Sequence, residues 1–219
     1  MNISHETIEE QLIWTEWGRI TRFLESSLIA FNREDLLLSS LEIKDSQDIT
    51  LSTKEGKSTY KISLEHHLHA LHSHDVLFST VLHSTYALAE AFARLKLEMT
   101  DEEELTAGIE SWGKSILAKM GHTWQDVGTV VPYIELSAVR NAYAHGLRNV
   151  NQKMVKRFTD HGHTCPWTLG EKIDLDYAGL ERYQSHLKTL MRLSSRPRRG
   201  PTPTSEPQGK PSNGSPSKK

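Results

Sequence analysis

Arg140, Asn141 and His145 stand close together in the stretch Ala138-Val139-Arg140-Asn141-Ala142-Tyr143-Ala144-His145-Gly146, and their types suit chemistry on a phosphate. On a helix, residues four apart share a face, so Asn141 and His145 would project together. Arg140 would sit round the side, with a side chain long enough to reach back. A histidine moves protons near neutral pH. An arginine can grip a phosphate through two parallel hydrogen bonds and stabilise charge as it develops there. Together they suit cleavage of RNA, whose own 2′-hydroxyl is the nucleophile, so neither metal nor cofactor is required. Small Ala142 and Ala144 would leave room for a substrate or a second helix. The plainer alternative is that Arg140 pairs with Glu135 or Glu90 and His145 merely caps a helix.

These residues need a scaffold, and the periodicity of the chain predicts a mainly helical one. Residues 7–31 carry apolar side chains at helical spacing, among them Ile8, Leu12, Ile20, Phe23, Leu24 and Leu28. Leu36 to Leu41 is apolar but of undecided type. Between 41 and 63 the period changes to alternation (Ile49, Leu51, Thr53, then Tyr60 and Ile62) around Lys54-Glu55-Gly56-Lys57, which predicts a small β-hairpin. Residues 64–97 contain neither Gly nor Pro and predict a long helix, broken near Ser73-His74-Asp75. Thr100 with Glu103 predicts a capped helix start, with the helix running to Lys119 and stopping at Gly121. A short helix within 123–131 comes next. Pro132 then opens the motif helix, from Tyr133 to about His145. Residues from Gly146 to Gly170 predict loop, followed by a short segment at 172–175 and a last helix from Tyr177 to Leu193. Three regions result: an N-terminal helix and hairpin extension (1–63), a helical domain (64–193), and a tail (194–219) too polar to fold.

The stretch around Arg140 resembles the R-N-x-x-x-H signature of the HEPN superfamily of ribonucleases and nucleotide-binding domains. The resemblance extends to the helix containing Tyr86-Ala87-Leu88-Ala89-Glu90-Ala91-Phe92-Ala93 and to Ile173-Asp174-Leu175-Asp176-Tyr177 leading into a terminal helix. It covers residues 64–193 and implies a HEPN-type helical bundle. It also implies a metal-independent endoribonuclease that leaves a 2′,3′-cyclic phosphate, serving as a toxin or anti-phage defence effector. Arg140, Asn141 and His145 would be catalytic, with Glu90 and Tyr143 in support. HEPN ribonucleases usually pair two motifs across a dimer, so a homodimer with a composite site is implied, and a neutralising or regulatory protein partner is possible on the same grounds. One toxin branch carries a tyrosine two positions after the histidine; Leu147 stands there in this chain, which argues against that branch. The alternative within the resemblance is a non-catalytic HEPN module that binds nucleotide or a partner protein.

Other clusters compete less well. His66, His67, His69, His72 and His74 invite a metal reading, but no cysteine or H-E-x-x-H pattern accompanies them, and a plain helix face is the better expectation. His161, His163 and Cys165 could hold zinc with a fourth ligand, although a Gly-containing loop explains them as well. A single cysteine excludes an internal disulfide. Trp14, Trp17, Trp112 and Trp124 read as core or interface residues. The formal charge of −2 hides an asymmetry: in the tail, Arg196, Arg198, Arg199, Lys210, Lys218 and Lys219 face Glu206 alone, a net +5, which leaves −7 for residues 1–193. An acidic body argues against broad, high-affinity binding to nucleic-acid backbone, so contact with RNA must be local or helped by the basic tail. No secretory signal or membrane-spanning run is expected, and a cytoplasmic location follows as the default.

Overall fold

The computed structural model describes residues 7–39, 48–52, 59–100, 103, 105, 108–145 and 148–197. Gly146, Leu147, the 53–58 connection and the tail from 198 lie outside the described residues.

The chain is mainly helical. Its elements in order are α1 (Ile8–Ser39), β1 (Asp48–Ser52), β2 (Thr59–Ser63), α2 (Leu64–His72), α3 (Asp75–Leu97), α4 (Ile109–Lys119), a single 3-10 turn (Trp124–Val127), α5 (Val131–Ala144), α6 (Gln152–Asp160) and α7 (Tyr177–Ser194). The two strands pair antiparallel, with Thr50 opposite Lys61 at the middle of the register.

At the centre lies α3, which touches α1, α4, α5 and α7. Its sequence explains why. Val81, Leu82, Ala89, Phe92 and Ala93 are all buried, and the small alanines let neighbouring helices approach. By length and composition alone this helix could cross a membrane, which the sequence reading did not anticipate; half of its most apolar window is buried inside the bundle, as expected of a core helix. Ser73 and His74 break the chain between α2 and α3. There the His74 ring stacks on Phe31 at 5.9 Å and meets the edge of Phe78 at 5.7 Å.

Three expectations need correction. First, the N-terminal helix does not end near Phe31: α1 extends through Ser39, and its Trp17 and Leu24 belong to the main core. Leu38, Leu64 and Leu71 form a satellite cluster where α1 meets α2. Second, Glu103 does accept from the Thr100 backbone N–H at 2.6 Å, but α4 starts only at Ile109, with Gly108 as its N-cap. Third, 152–160 is a helix, not a loop. Asn151 caps α6 by accepting from the Met154 N–H at 3.0 Å, and Met154 and Phe158, four apart, bury one face of it.

The base of this excursion is cross-tied. Val150 donates to the Glu171 carbonyl at 2.8 Å, and Ile173 donates to that of Arg148 at 2.7 Å. The edge of Trp167 closes over Phe158 at 6.1 Å. These contacts close the base of the segment that carries α6 and cover the buried face of that helix. The return into α7 is fixed by Asp176, whose carboxylate accepts from the Gly179 N–H at 2.7 Å. Losing such a cap costs about 1 kcal/mol. Asp176→Ala is therefore expected to lower stability by about that much in chemical denaturation, with no change in helical content before the transition.

Candidate functional site

Pro132 lies in the first turn of α5, and the helix ends at Ala144, with His145 as its C-cap. Along this helix, Ala138, Asn141 and His145 recur at i, i+3 and i+7 and so share one face. That face meets α6 and opens a recess of about 330 Å³, lined by Ala138, Asn141, His145, Asn151, Lys153, Met154 and Arg157. The structure thus brings Asn141 and His145 together and adds four residues from the α6 segment, none of which the sequence reading had singled out. The small residue that opens the recess is Ala138. Ala142, expected to leave room for a ligand, is instead buried in the core, while Ala144 is exposed.

Arg140 does not line the recess. It stands about a quarter-turn round the helix from Asn141, toward α3, where its guanidinium lies over the Tyr86 ring at 5.2 Å from the centroid. Its Nη1 donates to Asn141 Oδ1 at 3.0 Å, and its Nε is buried without a hydrogen-bond partner. The two-point grip on phosphate expected from the sequence is therefore not the geometry present. Nη1 is engaged and Nε is covered, which leaves Nη2 and the delocalised charge.

The simple ion-pair explanation for Arg140 does not hold either. Glu135 pairs with Arg182 at 3.4 Å, and no carboxylate lies within ion-pair distance of Arg140 among the described residues. Glu90 is near enough to feel it. Burial pushes the Glu90 carboxyl up from its ordinary 4.5, and the Arg140 charge opposes that shift. A carboxyl with a raised folded-state pKa contributes stability only while protonated, and that contribution is lost as pH rises from the unfolded value through the folded one. Glu90→Gln should thus raise the Tm at neutral pH, an advantage that disappears in acid, where Glu90 is protonated in both states. A lower Tm at neutral pH would contradict this account.

Tyr86 completes the cluster. Burial raises its pKa, opposed by a hydrogen bond with Ser137 and by the charges of Arg157 and Arg140, with Glu90 adding to the rise. The phenol is therefore neutral between two arginines. Tyr143, expected in support, is placed elsewhere. Its hydroxyl accepts from the Leu175 N–H at 2.8 Å and Arg148 lies over its ring, so it braces the segment before α7 and does not reach the recess.

No family model, curated protein or solved structure matches this chain. The local chemistry therefore carries the functional reading.

Several members of the histidine clusters make structural contacts. His67 and His72 face Glu34 and Asp35 at 3.7 and 2.8 Å, tying α2 to the end of α1. His161 Nδ1 lies 2.9 Å from the Arg157 carbonyl, and Cys165 packs against the core. Among the described residues, no three His, Cys, Asp or Glu side chains converge as a ligand set. A larger cleft of about 550 Å³ lies between α1, α2 and α3, lined chiefly by apolar groups such as Phe23, Phe31, Val76 and Leu77, and contains none of the motif residues.

Proposed function

We propose that this chain is a metal-independent endoribonuclease of the HEPN type, with His145 in proton transfer, Arg140 stabilising charge on the scissile phosphate, and Asn141 orienting Arg140. One observation carries the reading: Asn141 joins the other two, accepting from Arg140 on one side and bordering the recess with His145 on the other. Arg140, with no carboxylate at ion-pair distance among the described residues, is linked through Asn141 to a recess lined by the exposed His145 and Lys153, an arrangement suited to an anionic substrate.

The chemistry balances without an added reagent. The 2′-oxygen attacks phosphorus as its proton passes to a base. The new 2′-O–P bond closes a 2′,3′-cyclic phosphate, the P–O5′ bond breaks, and the departing 5′-oxygen takes up a proton. His145 can serve as either base or acid. With one such histidine per chain, a homodimer that pairs two copies would supply both roles at once, as the HEPN resemblance implies. A defence or toxin role, with a neutralising partner, belongs to the same reading.

The test is incubation of the purified protein with RNA in EDTA, scored for fragments ending in cyclic phosphate. Cleavage is expected. A protein that binds RNA or nucleotide without cutting it would instead be the non-catalytic HEPN module.

A further inference from the structure

We propose that Lys153 and Arg157, presented by α6, hold the backbone phosphate next to the scissile one, so that the site takes a polynucleotide strand in preference to an isolated nucleotide. This rests on the ribonuclease reading for which phosphate is cut, but its binding test is independent of cleavage.

The recess has a sidedness that the proposed chemistry does not use. Ala138, Asn141 and His145 line it from α5, while Asn151, Lys153, Met154 and Arg157 line it from the α6 segment. Among the described residues, no carboxylate lines it. Its volume is at the small end of the range for ligand clefts, ~300–1,000 Å³, which suits one unit of a strand and not a folded domain or a whole cofactor.

Lys153 and Arg157 are four apart on α6, so their Cβ atoms lie on one face about 5–6 Å apart. Lys153 is exposed and forms no ion pair among the described residues, although Lys156 is held by Asp160 at 2.6 Å. The Lys153 charge is therefore not neutralised locally.

Arg157 is aimed by a specific device. Its Nε donates to Glu110 Oε1 at 2.7 Å and its Nη2 to Glu110 Oε2, which leaves Nη1 uncommitted. Glu110 is nearly buried, so this fork has little freedom. Gly108 is what admits it: a Cβ at that position would fall 1.6 Å from Arg157 Nη2. A glycine N-cap in α4, a first-turn glutamate and an arginine from α6 together hold one guanidinium at the edge of the recess, its charge matched by Glu110 but its Nη1 left to donate, beside the unneutralised Lys153.

The experiment measures binding of a 2′-O-methyl oligonucleotide, which cannot be cut because its 2′-oxygen is blocked, against salt concentration. Wild type, Lys153→Ala and, as control, Lys156→Ala are compared, with a 2′-O-methyl dinucleoside monophosphate as the short probe. Lys153→Ala is expected to weaken oligonucleotide binding and to reduce the slope of log affinity on log salt by about 0.7, the value for one phosphate contact on a single strand. The short probe, which lacks a flanking phosphate, should not register the change, and Lys156→Ala should behave as wild type. Both lysines are exposed, so neither variant should affect folding. The proposal is overturned if Lys153→Ala keeps the wild-type slope, if Lys156→Ala loses as much, or if no oligonucleotide binds. Active cleavage with an unchanged Lys153→Ala slope rejects this subsite and leaves the ribonuclease reading standing. A Lys153-dependent slope without cleavage supports the subsite and rejects the ribonuclease reading.

Discussion

His145→Ala is expected to reduce EDTA-resistant RNA cleavage by a factor of about 10²–10⁴ while folding stability, read from the Tm, changes by no more than an ordinary surface substitution, about ±0.5 kcal/mol. The expected separation of the two effects follows from where His145 sits. Its ring is exposed at the C-terminus of α5, and what it gives the fold is backbone: its N–H donates to the Asn141 carbonyl at 3.1 Å, a bond that alanine preserves. What alanine removes is the imidazole at the recess. Proton transfer to and from the 2′- and 5′-oxygens would then fall to water. Single-turnover cleavage of a labelled RNA, beside a thermal melt of the same preparation, reads both quantities. A variant that cuts at the wild-type rate would remove histidine from the mechanism. One that loses both rate and Tm would show the residue to be structural.

Why the sequence revealed half of this site and not the rest can be argued from individual residues. Asn141 and His145 were legible because helical spacing alone places them on one face, and Pro132 marks where that helix begins. Arg140 was legible as an unusual residue but not in its direction. Whether a long side chain reaches forward to His145 or lies back on Tyr86 depends on another helix, α3, more than fifty residues earlier. The α6 wall was missed because 151–160 is mostly polar and charged. Only Met154, Val155 and Phe158 betray its period, and the surrounding Gly and Pro residues outweighed them. The Asn151 cap was the signal available. Glu110 and Gly108 could not be found locally at all, since each has meaning only through Arg157, 47 and 49 positions away.

The same limit explains the errors in the fold. A Thr100–Glu103 pattern satisfies a turn as well as a helix start, and the sequence does not say which follows. Trp17 and Leu24 show that the first helix has an apolar face; only tertiary packing shows that the face completes the main core. Local signals specify that a segment is helical, whereas the partner it packs on is a property of the whole chain.

Arg140→Ala carries the second large effect, and its partners make it more informative than a simple loss. Removing a preorganised cation from a developing phosphate charge costs about 10²–10³ in rate. Arg140→Lys distinguishes charge from shape. A lysine keeps the charge but is a point donor on a flexible stem and cannot reproduce the planar guanidinium that donates to Asn141 Oδ1 and keeps Nη2 uncommitted. It should recover only part of the lost rate. A full recovery would mean that the Asn141 link has no role. Loss of Arg140 should also register at Glu90, because the arginine charge is what restrains the rise in that carboxyl's pKa. In Arg140→Ala, Glu90 should therefore hold its proton to higher pH, and the stability gained from Glu90→Gln at neutral pH should be larger in the Arg140→Ala background than in the wild type. That is a coupling measurable by a double-mutant cycle on Tm. If the two substitutions are simply additive, Arg140 and Glu90 do not sense one another. The picture of a single electrostatic unit running from α3 through Arg140 and Asn141 to His145 would then break at its first link.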